Sequence, residues 1–299
     1  MGAGLPSWQG LLERLADDAG LDADDIESMR RMPATDQARI VERALGGRAE
    51  LVAAIRHHLD TPNYSLTHTF CARVPADTAV TLNYDRLFEL ASEAQGHTVH
   101  VIPNRGRGRS SRTLLKLHGC LSRDADIVLT REDYLRYGDR RSALAGFVQA
   151  LLITHHMLFV GFGLADDNFH RILDDVHKAL GDPDEPTRDV VGTVLTLLPQ
   201  PLRDRLWDDD FDIVAMYDDT TVPESHAARR LEIFLDYLVF LTGQRPTYLL
   251  NPTYDGLLTA EERAFRDQVV AMAGENLSKL RGTPLGDELR AFLERLGSN

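Results

Sequence analysis

The pattern of apolar and polar positions divides the 299-residue chain into three stretches. Over residues 7–60, apolar side chains recur at helical spacing: Leu11, Leu12 and Leu15 form one stripe, and AELVAAIRHHL forms another. Ser7 is placed to cap the first helix, while Pro33 and Gly46-Gly47 punctuate the helices after it. From about residue 78 the period shortens. TAVTLNY, TVHVI and TLLKLHG read as strands, with DIVLT as a further short one. HMLFVGFG is a near-continuous apolar run of the kind buried on both faces of a parallel sheet, and VVGTVLTLL and FDIVAMY are further strands. Helical stretches stand between them: DRLFELASEA, a segment from Glu132, 143–153, one from about Asp167, and one around 201–207. Past Pro223 the pattern is helical again, through RRLEIFLDYLVFL, 259–273 and 285–296. Strands alternating with helices at this spacing predict the α/β class. The expected architecture is a Rossmann-like doubly wound parallel sheet with a helical N-terminal or insert module and C-terminal helices. The matching division is residues 1–222 for the sheet domain, with the helical module at about 20–75, and 223–299 for a helical extension.

Composition narrows the function classes. The chain is 43% apolar and 26% charged, the balance of a soluble globular protein. Lys plus Arg is 33 and Asp plus Glu is 46, giving a net charge of −13. An acidic chain is a poor duplex binder, because neutralising phosphates needs clustered cations, so no direct nucleic-acid partner is expected. The one basic cluster, Arg105, Arg107, Arg109 and Arg112, stands among glycines and serines and reads as a solvated loop. Two cysteines, Cys71 and Cys120, cannot build a disulfide framework or a four-thiolate zinc site. His57-His58 and His155-His156 lack a spaced carboxylate or cysteine, so no metal is expected. The longest apolar run, 151–164, is too short to span a bilayer and is broken by the latter pair. With no basic-apolar leader at MGAGLPSWQG, the expected compartment is the cytoplasm, with no membrane partner. Phe234, Tyr237 and Phe240, at helical spacing, are expected in a core or an interface.

In an open α/β sheet, ligands bind at the carboxyl ends of the strands. Here those ends carry Asn83 and Asp85, then His118 and Gly119, then Gly161, Phe162 and Gly163. Taken singly, each has a structural explanation. Asn-x-Asp after a strand caps helices, His beside Gly is common in turns, and Gly-x-Gly alone is a weak phosphate signal. Their shared location is what points to a site.

Together these segments resemble the sirtuin-like NADase domain of bacterial antiphage defence systems. The motifs that carry the resemblance are TLNYD at 81–85, KLHG at 116–119 and GFGLADDN at 161–168, with EDY at 132–134 similar to a further element. It covers roughly residues 4–220. The resemblance implies that residues 1–222 handle NAD as substrate, with Asn83 and His118 catalytic. It also implies that Asp85, Gly161, Phe162, Gly163 and Asp166 contact the dinucleotide, although Asp166 is equally suited to cap the following helix. The chemistry fits the residue types. Nicotinamide is a good leaving group and the transition state is oxocarbenium-like, so a base near water or a ribose hydroxyl helps more than an acid. Histidine titrates near neutrality, and an asparagine amide donates and accepts at once. Two cysteines cannot supply the four-cysteine zinc module of protein deacylases, which favours cleavage of the dinucleotide over deacylation.

The implied role is NAD depletion in abortive infection, as a homo-oligomer working with a HerA-type ATPase or another defence-system partner. The second reading is a catalytically silent subunit or sensor that binds NAD or ADP-ribose. The family pattern opens with a buried strand running into Gly-Ala-Gly-x-Ser. Here no strand precedes Gly2-Ala3-Gly4, and Pro6 stands at the serine position. Gly4 to Trp8 better matches the Gly-Leu-Pro-x-Trp segment that comes after the loop, so the first strand and phosphate loop are expected to be missing.

Overall fold

A computed structural model describes residues 3–104, 112–122, 127–180, 190–242, 249–250, 255–256 and 258–297. Its two compact units are Met1–Tyr237 and Leu238–Asn299.

The first unit opens with four helices: α1 (Trp8–Asp18), α2 (Ala23–Arg30), α3 (Ala34–Ala44) and α4 (Arg48–Leu59). Ser7 caps α1, its hydroxyl accepting the Gly10 N–H at 3.2 Å. The expected leucine stripe is buried: Leu11, Leu12 and Leu15 pack with Val41, Leu51 and Ile55. Tyr84, Leu121, Ile127 and Leu129 insert into the same core, so the helical module is packed against the loops at the strand ends. Polar ties reinforce that packing. The Arg56 guanidinium donates to the Leu121 carbonyl at 2.7 Å, and Arg48 donates to the Ile127 carbonyl and lies 3.0 Å from Asp133. A further helix, α5 (Leu66–Arg73), leads into the sheet.

Among the described residues the strands form two separate three-stranded parallel sheets, which make up the two halves of the α/β core. β1 (Thr78–Thr81), β2 (Val99–Ile102) and β3 (Arg112–Lys116) pair in the order β1-β3-β2, with Thr81 opposite Lys116. β4 (Met157–Val160), β5 (Gly192–Thr196) and β6 (Phe211–Ala215) pair in the order β4-β5-β6. All four pairings are parallel. Between the strands run α6 (Leu87–Glu93), α7 (Arg131–Leu135), α8 (Tyr137–Thr154), α9 (Asp167–Leu180) and α10 (Pro201–Asp204), and α11 (Glu224–Thr242) comes after β6. Leu115 and Leu117 from the first half share one core with Val194 and Phe211 from the second, closed by Val148 and Phe169 of α8 and α9. This is the Rossmann-like α/β arrangement expected from the pattern.

Two details differ from it. The apolar run HMLFVGFG predicts a strand covered on both faces, yet β4 pairs only with β5 among the described residues, and Leu158 is 38% exposed. DIVLT forms no strand over its described part, 127–130. Its apolar residues Ile127 and Leu129 enter the helical core instead, and its backbone is held by Tyr84, Arg48 and His118 rather than by a ladder. Of the basic cluster, Arg105, Arg107 and Arg109 lie outside the described residues. Arg112 starts β3 and donates to the Ala72 carbonyl, which ties α5 to the sheet.

The second unit contains α12 (Ala260–Asn276) and α13 (Pro284–Arg295) around its own core of Leu249, Leu258, Val269, Leu293 and Leu296. Thr259 and Glu262 form a capping box on α12, and Thr283 caps α13. Phe234, Tyr237 and Phe240 of α11 are exposed rather than in a core. No described helix is long and apolar enough to cross a membrane.

Candidate active site

The candidate residues at the strand ends come from β1, β3 and β4. Asn83 lies just past β1 in the turn 82–86, where its backbone N–H reaches the Thr81 hydroxyl at 3.1 Å and its side chain is exposed. Asp85 serves the chain locally: its Oδ1 accepts the Leu87 N–H at 3.0 Å, at the start of α6. Between them Tyr84 points the other way. Its hydroxyl donates to the Val128 carbonyl at 2.6 Å, and its carbonyl accepts the Leu121 N–H at 3.2 Å. Val128 in turn donates its N–H to the His118 carbonyl at 2.8 Å. The turn after β1 and the segment after β3 are therefore fastened to each other through Tyr84. Burial, with the Asp133 charge adding to it, pushes the Tyr84 phenol far above its ordinary range, so it remains a neutral donor.

His118 is 5% exposed. Its Nε2 lies 3.3 Å from Asp166 Oδ2, off the line of a hydrogen bond, and has no hydrogen-bond partner among the described residues. Two tyrosine rings meet the imidazole edge-on, Tyr134 at 5.5 Å and Tyr137 at 6.1 Å between centroids. The Tyr137 hydroxyl is also buried and without a partner among the described residues. Burial raises this phenol to about 12, so it too is protonated at neutral pH.

Asp166 does two things at once. Its Oδ1 accepts the Phe169 N–H at 2.9 Å, capping α9, while Oδ2 accepts the Tyr134 hydroxyl at 3.0 Å and faces His118. Burial works to raise its carboxyl, but the His118 contact, the Phe169 N–H and the Tyr134 hydroxyl together hold it below the ordinary carboxylate range. The turn that delivers it is conformationally special. Gly161 has φ 64°, which glycine adopts freely, but Leu164 has φ 46°, which costs a side-chain-bearing residue about 1–3 kcal/mol. Burial of Leu164 in the core of the sheet domain offsets that strain. Phe162 packs its ring against Phe169 at 4.9 Å and Phe159 at 5.6 Å. A Cβ at Gly163 would meet Arg203 Nη2 at 3.4 Å, so this guanidinium lies against the turn. Its other terminal nitrogen, Nη1, donates to Gln200 Oε1 at 3.1 Å.

The structure therefore brings together His118 and Asp166, and fastens the Asn83–Asp85 turn to the same segment. Among the described residues no cluster of three or more His, Cys, Asp or Glu is placed to hold a metal ion.

Part of the chain that holds this arrangement is similar to known proteins. A family model described as SIR2-like domain matches residues 77–213, from just before β1 into β6. Residues 77–213 are a SIR2-like domain. The chain is 28% identical over 189 residues to the NAD(+) hydrolase ThsA of Bacillus cereus, covering 60% of this chain and 38% of that protein. It is 29% identical over 196 residues to the NAD(+) hydrolase ThsA of Enterococcus faecium, covering 62% and 40%. With the defense-associated sirtuin 2 of Bacillus subtilis it shares 31% identity over 126 residues, 40% of this chain and 12% of that protein. The chain thus aligns with two fifths or less of the length of these relatives.

Within the SIR2-like domain, sequence reading missed several residues that surround the motif positions. Tyr137, Glu89 and Arg203 belong to no motif, and Lys116, although it opens KLHG, takes no role from it; their places arise from the way the fold brings distant segments together. Lys116 did leave a trace, a cation in the middle of the apolar run TLLKL. His68 of α5 lies near enough to Asp85 to feel its charge, although burial, the larger effect, holds the imidazole below its ordinary range.

Proposed function

We propose that this protein hydrolyses NAD at the nicotinamide–ribose bond, with His118 as the general base and Asn83 positioning water and ribose. The observation that carries the reading is the buried His118 imidazole, its Nε2 unpartnered among the described residues and facing Asp166, at the carboxyl end of parallel strands in a SIR2-like domain. The names of the relatives, NAD(+) hydrolase and defense-associated sirtuin, support the same reading and a role in antiphage defence.

In the reaction a water oxygen forms a bond to the ribose C1′ as the bond to nicotinamide breaks, with the electron pair leaving on nicotinamide. His118 accepts the proton of the water, and the Asp166 carboxylate at 3.3 Å stabilises the imidazolium so formed. Tyr134 holds that carboxylate. The exposed Asn83 side chain orients the water and a ribose hydroxyl. The Tyr137 hydroxyl is a spare donor for the same sugar. Arg203 sits against the Gly161–Gly163 turn and supplies positive charge for a phosphate of the dinucleotide. Asp85, Phe162 and the two glycines shape the approach to NAD. No metal takes part in this reading, and the cytoplasm, where NAD is abundant, is the proposed compartment.

Residues 1–222, with the helical module at about 20–75, are proposed as the NAD-handling domain. The helices of 223–299 are proposed as an assembly surface for a homo-oligomer or for a HerA-type ATPase or other defence-system partner.

The test is to incubate the protein with NAD and quantify nicotinamide and ADP-ribose. His118→Ala and Asn83→Ala are each expected to abolish release of both products while leaving the fold intact. Wild-type turnover that persists in both variants sinks the assignment. Saturable NAD binding with no nicotinamide release would instead mark a silent NAD-binding subunit.

A further inference from the structure

Lys116 is fully buried, 0% exposed, in a strand where its neighbours Leu115 and Leu117 are core residues. An ammonium group removed from water is costly unless it is both paired and hydrogen-bonded. Its partners all come from one stretch, residues 84–89. Nζ lies 2.7 Å from Glu89 Oε1, donates to the Asp85 carbonyl, and has the Tyr84 carbonyl at 3.5 Å. Glu89 is itself buried on α6, and its Oε2 has no hydrogen-bond partner among the described residues.

Stability alone does not explain this pair, because two well-packed apolar side chains commonly do as well in such a place. What the ion pair adds is position. The ammonium reaches from β3, the strand that leads to His118, to the backbone of the two residues just past Asn83. Directed bonds to main-chain carbonyls fix a turn in a way that apolar contact does not. Tyr84 completes the tie from the other side, through its hydroxyl on Val128.

We propose that the Lys116–Glu89 pair is a positioning device, setting the Asn83–Asp85 turn against the His118 segment so that amide and imidazole meet the substrate in one geometry. The inference rests on the reading of Asn83 and His118 as the reacting pair. Neither Lys116 nor Glu89 touches the substrate; both act through the turn.

The experiment uses the full chain with both partners replaced, Lys116→Met with Glu89→Met, so that no unpaired charge is left buried. The double variant is expected to unfold cooperatively, at a midpoint compared with that of the wild type measured alongside it. Backbone amide exchange over residues 83–87 should be at least about tenfold faster, while that of α9 is unchanged. Turnover of NAD should fall about ten- to a hundredfold in kcat with KM within about threefold, the split expected when reacting groups are misplaced but ground-state binding survives. A merely structural pair would leave both the local exchange and that split unmoved in a folded variant. Wild-type exchange over 83–87 overturns the inference, and so does faster exchange with undiminished kcat. If the double variant does not fold, Glu89→Gln carries the test, since it keeps size and an acceptor but removes the countercharge. Faster exchange at 83–87 is expected there too, and wild-type exchange overturns the proposal. A wild-type protein that releases no nicotinamide sinks the hydrolase reading instead, and the exchange measurement still decides whether the pair holds the turn.

Discussion

Asp166 shows how one side chain can divide its two oxygens between different partners. Its position before α9 marks it as a helix cap, and Oδ1 does cap; the resemblance places it at the dinucleotide, and Oδ2 faces His118 and Tyr134. Asp166→Asn separates the two roles, because an amide oxygen still accepts the Phe169 N–H while the negative charge beside the imidazole is gone. The expected outcome is a folded variant with a modest loss of thermal stability, the share contributed by the ionised carboxylate, and a fall in NAD turnover of about a hundredfold, the scale on which a general base depends on its setting. Wild-type turnover in that variant would count against the base role of His118. Arg203→Ala is expected to act on binding. Loss of a charge-assisted phosphate contact should raise KM about tenfold, roughly 1.4 kcal/mol, with kcat little changed, as read by steady-state kinetics. At this scale Asn83, His118 and Asp166 were legible as positions, the first two just past strand ends and the third just before α9, and the roles given to them are proposals. Arg203 and Glu89 were not, because a single Arg or Glu on a helix is indistinguishable from a solvated one until the fold brings it to a turn or a buried lysine.

At the level of elements, the sequence pattern located each strand of both parallel halves, since β-branched and apolar runs bounded by turn residues have few other uses. DIVLT has the same appearance and is not a strand. Its apolar side chains are claimed by the helical module, and its carbonyls by Arg48 and Tyr84, residues that stand 79 and 44 positions away. The pairing of β4 with β5 depends on a feature the pattern does not advertise. Gly192, opposite Met157, has no room for a side chain: a Cβ there would lie 2.2 Å from the Met157 carbonyl oxygen and 2.9 Å from the Phe159 ring. The backbone of β4 cannot retreat, because Phe159 is locked among Phe162, Phe169 and Phe211. Gly192→Ala is therefore expected to destabilise the protein by about 2–3 kcal/mol or more, measured by urea unfolding. The loss should reach the site, because β4 leads directly into the turn that carries Asp166. An unchanged unfolding midpoint would show that β4 and β5 are further apart than this register requires.

The stability of the first unit as a whole is linked to pH through groups whose folded-state affinities for protons are lowered. Asp166 and Asp133 are held below the ordinary carboxylate value of 3.8 by their hydrogen bonds and charged neighbours, against burial, so their contribution is present above that value and is lost as pH falls below it. His68 acts at a higher pH. Burial lowers its affinity for a proton below the ordinary value of 6.5, and the nearby Asp85 carboxylate offsets only part of this. The unfolded chain then binds more protons than the folded one as pH drops through 6.5, so stability must fall in that window. The geometry supplies the cause. His68 Nδ1 accepts the Ser65 N–H at 3.4 Å and lies 2.7 Å from the Ser65 hydroxyl, closing the capping box of α5, and a protonated Nδ1 can no longer accept. α5 is not peripheral, because Phe70 and Cys71 pack on the core formed by Leu195, Met216, Leu231 and Leu235, which joins β5 to α11. Burial there also pushes the Cys71 thiol up to about 11, keeping it a neutral packing group across the whole range. His68→Gln replaces the titrating acceptor with the non-titrating one usual at this position of a capping box. Urea midpoints measured from about pH 7.5 to 5 should decline in the wild type and stay nearly level in the variant, whereas below the carboxylate value both should fall together. Parallel decline of the two proteins above pH 5 would place the sensitive group elsewhere than α5.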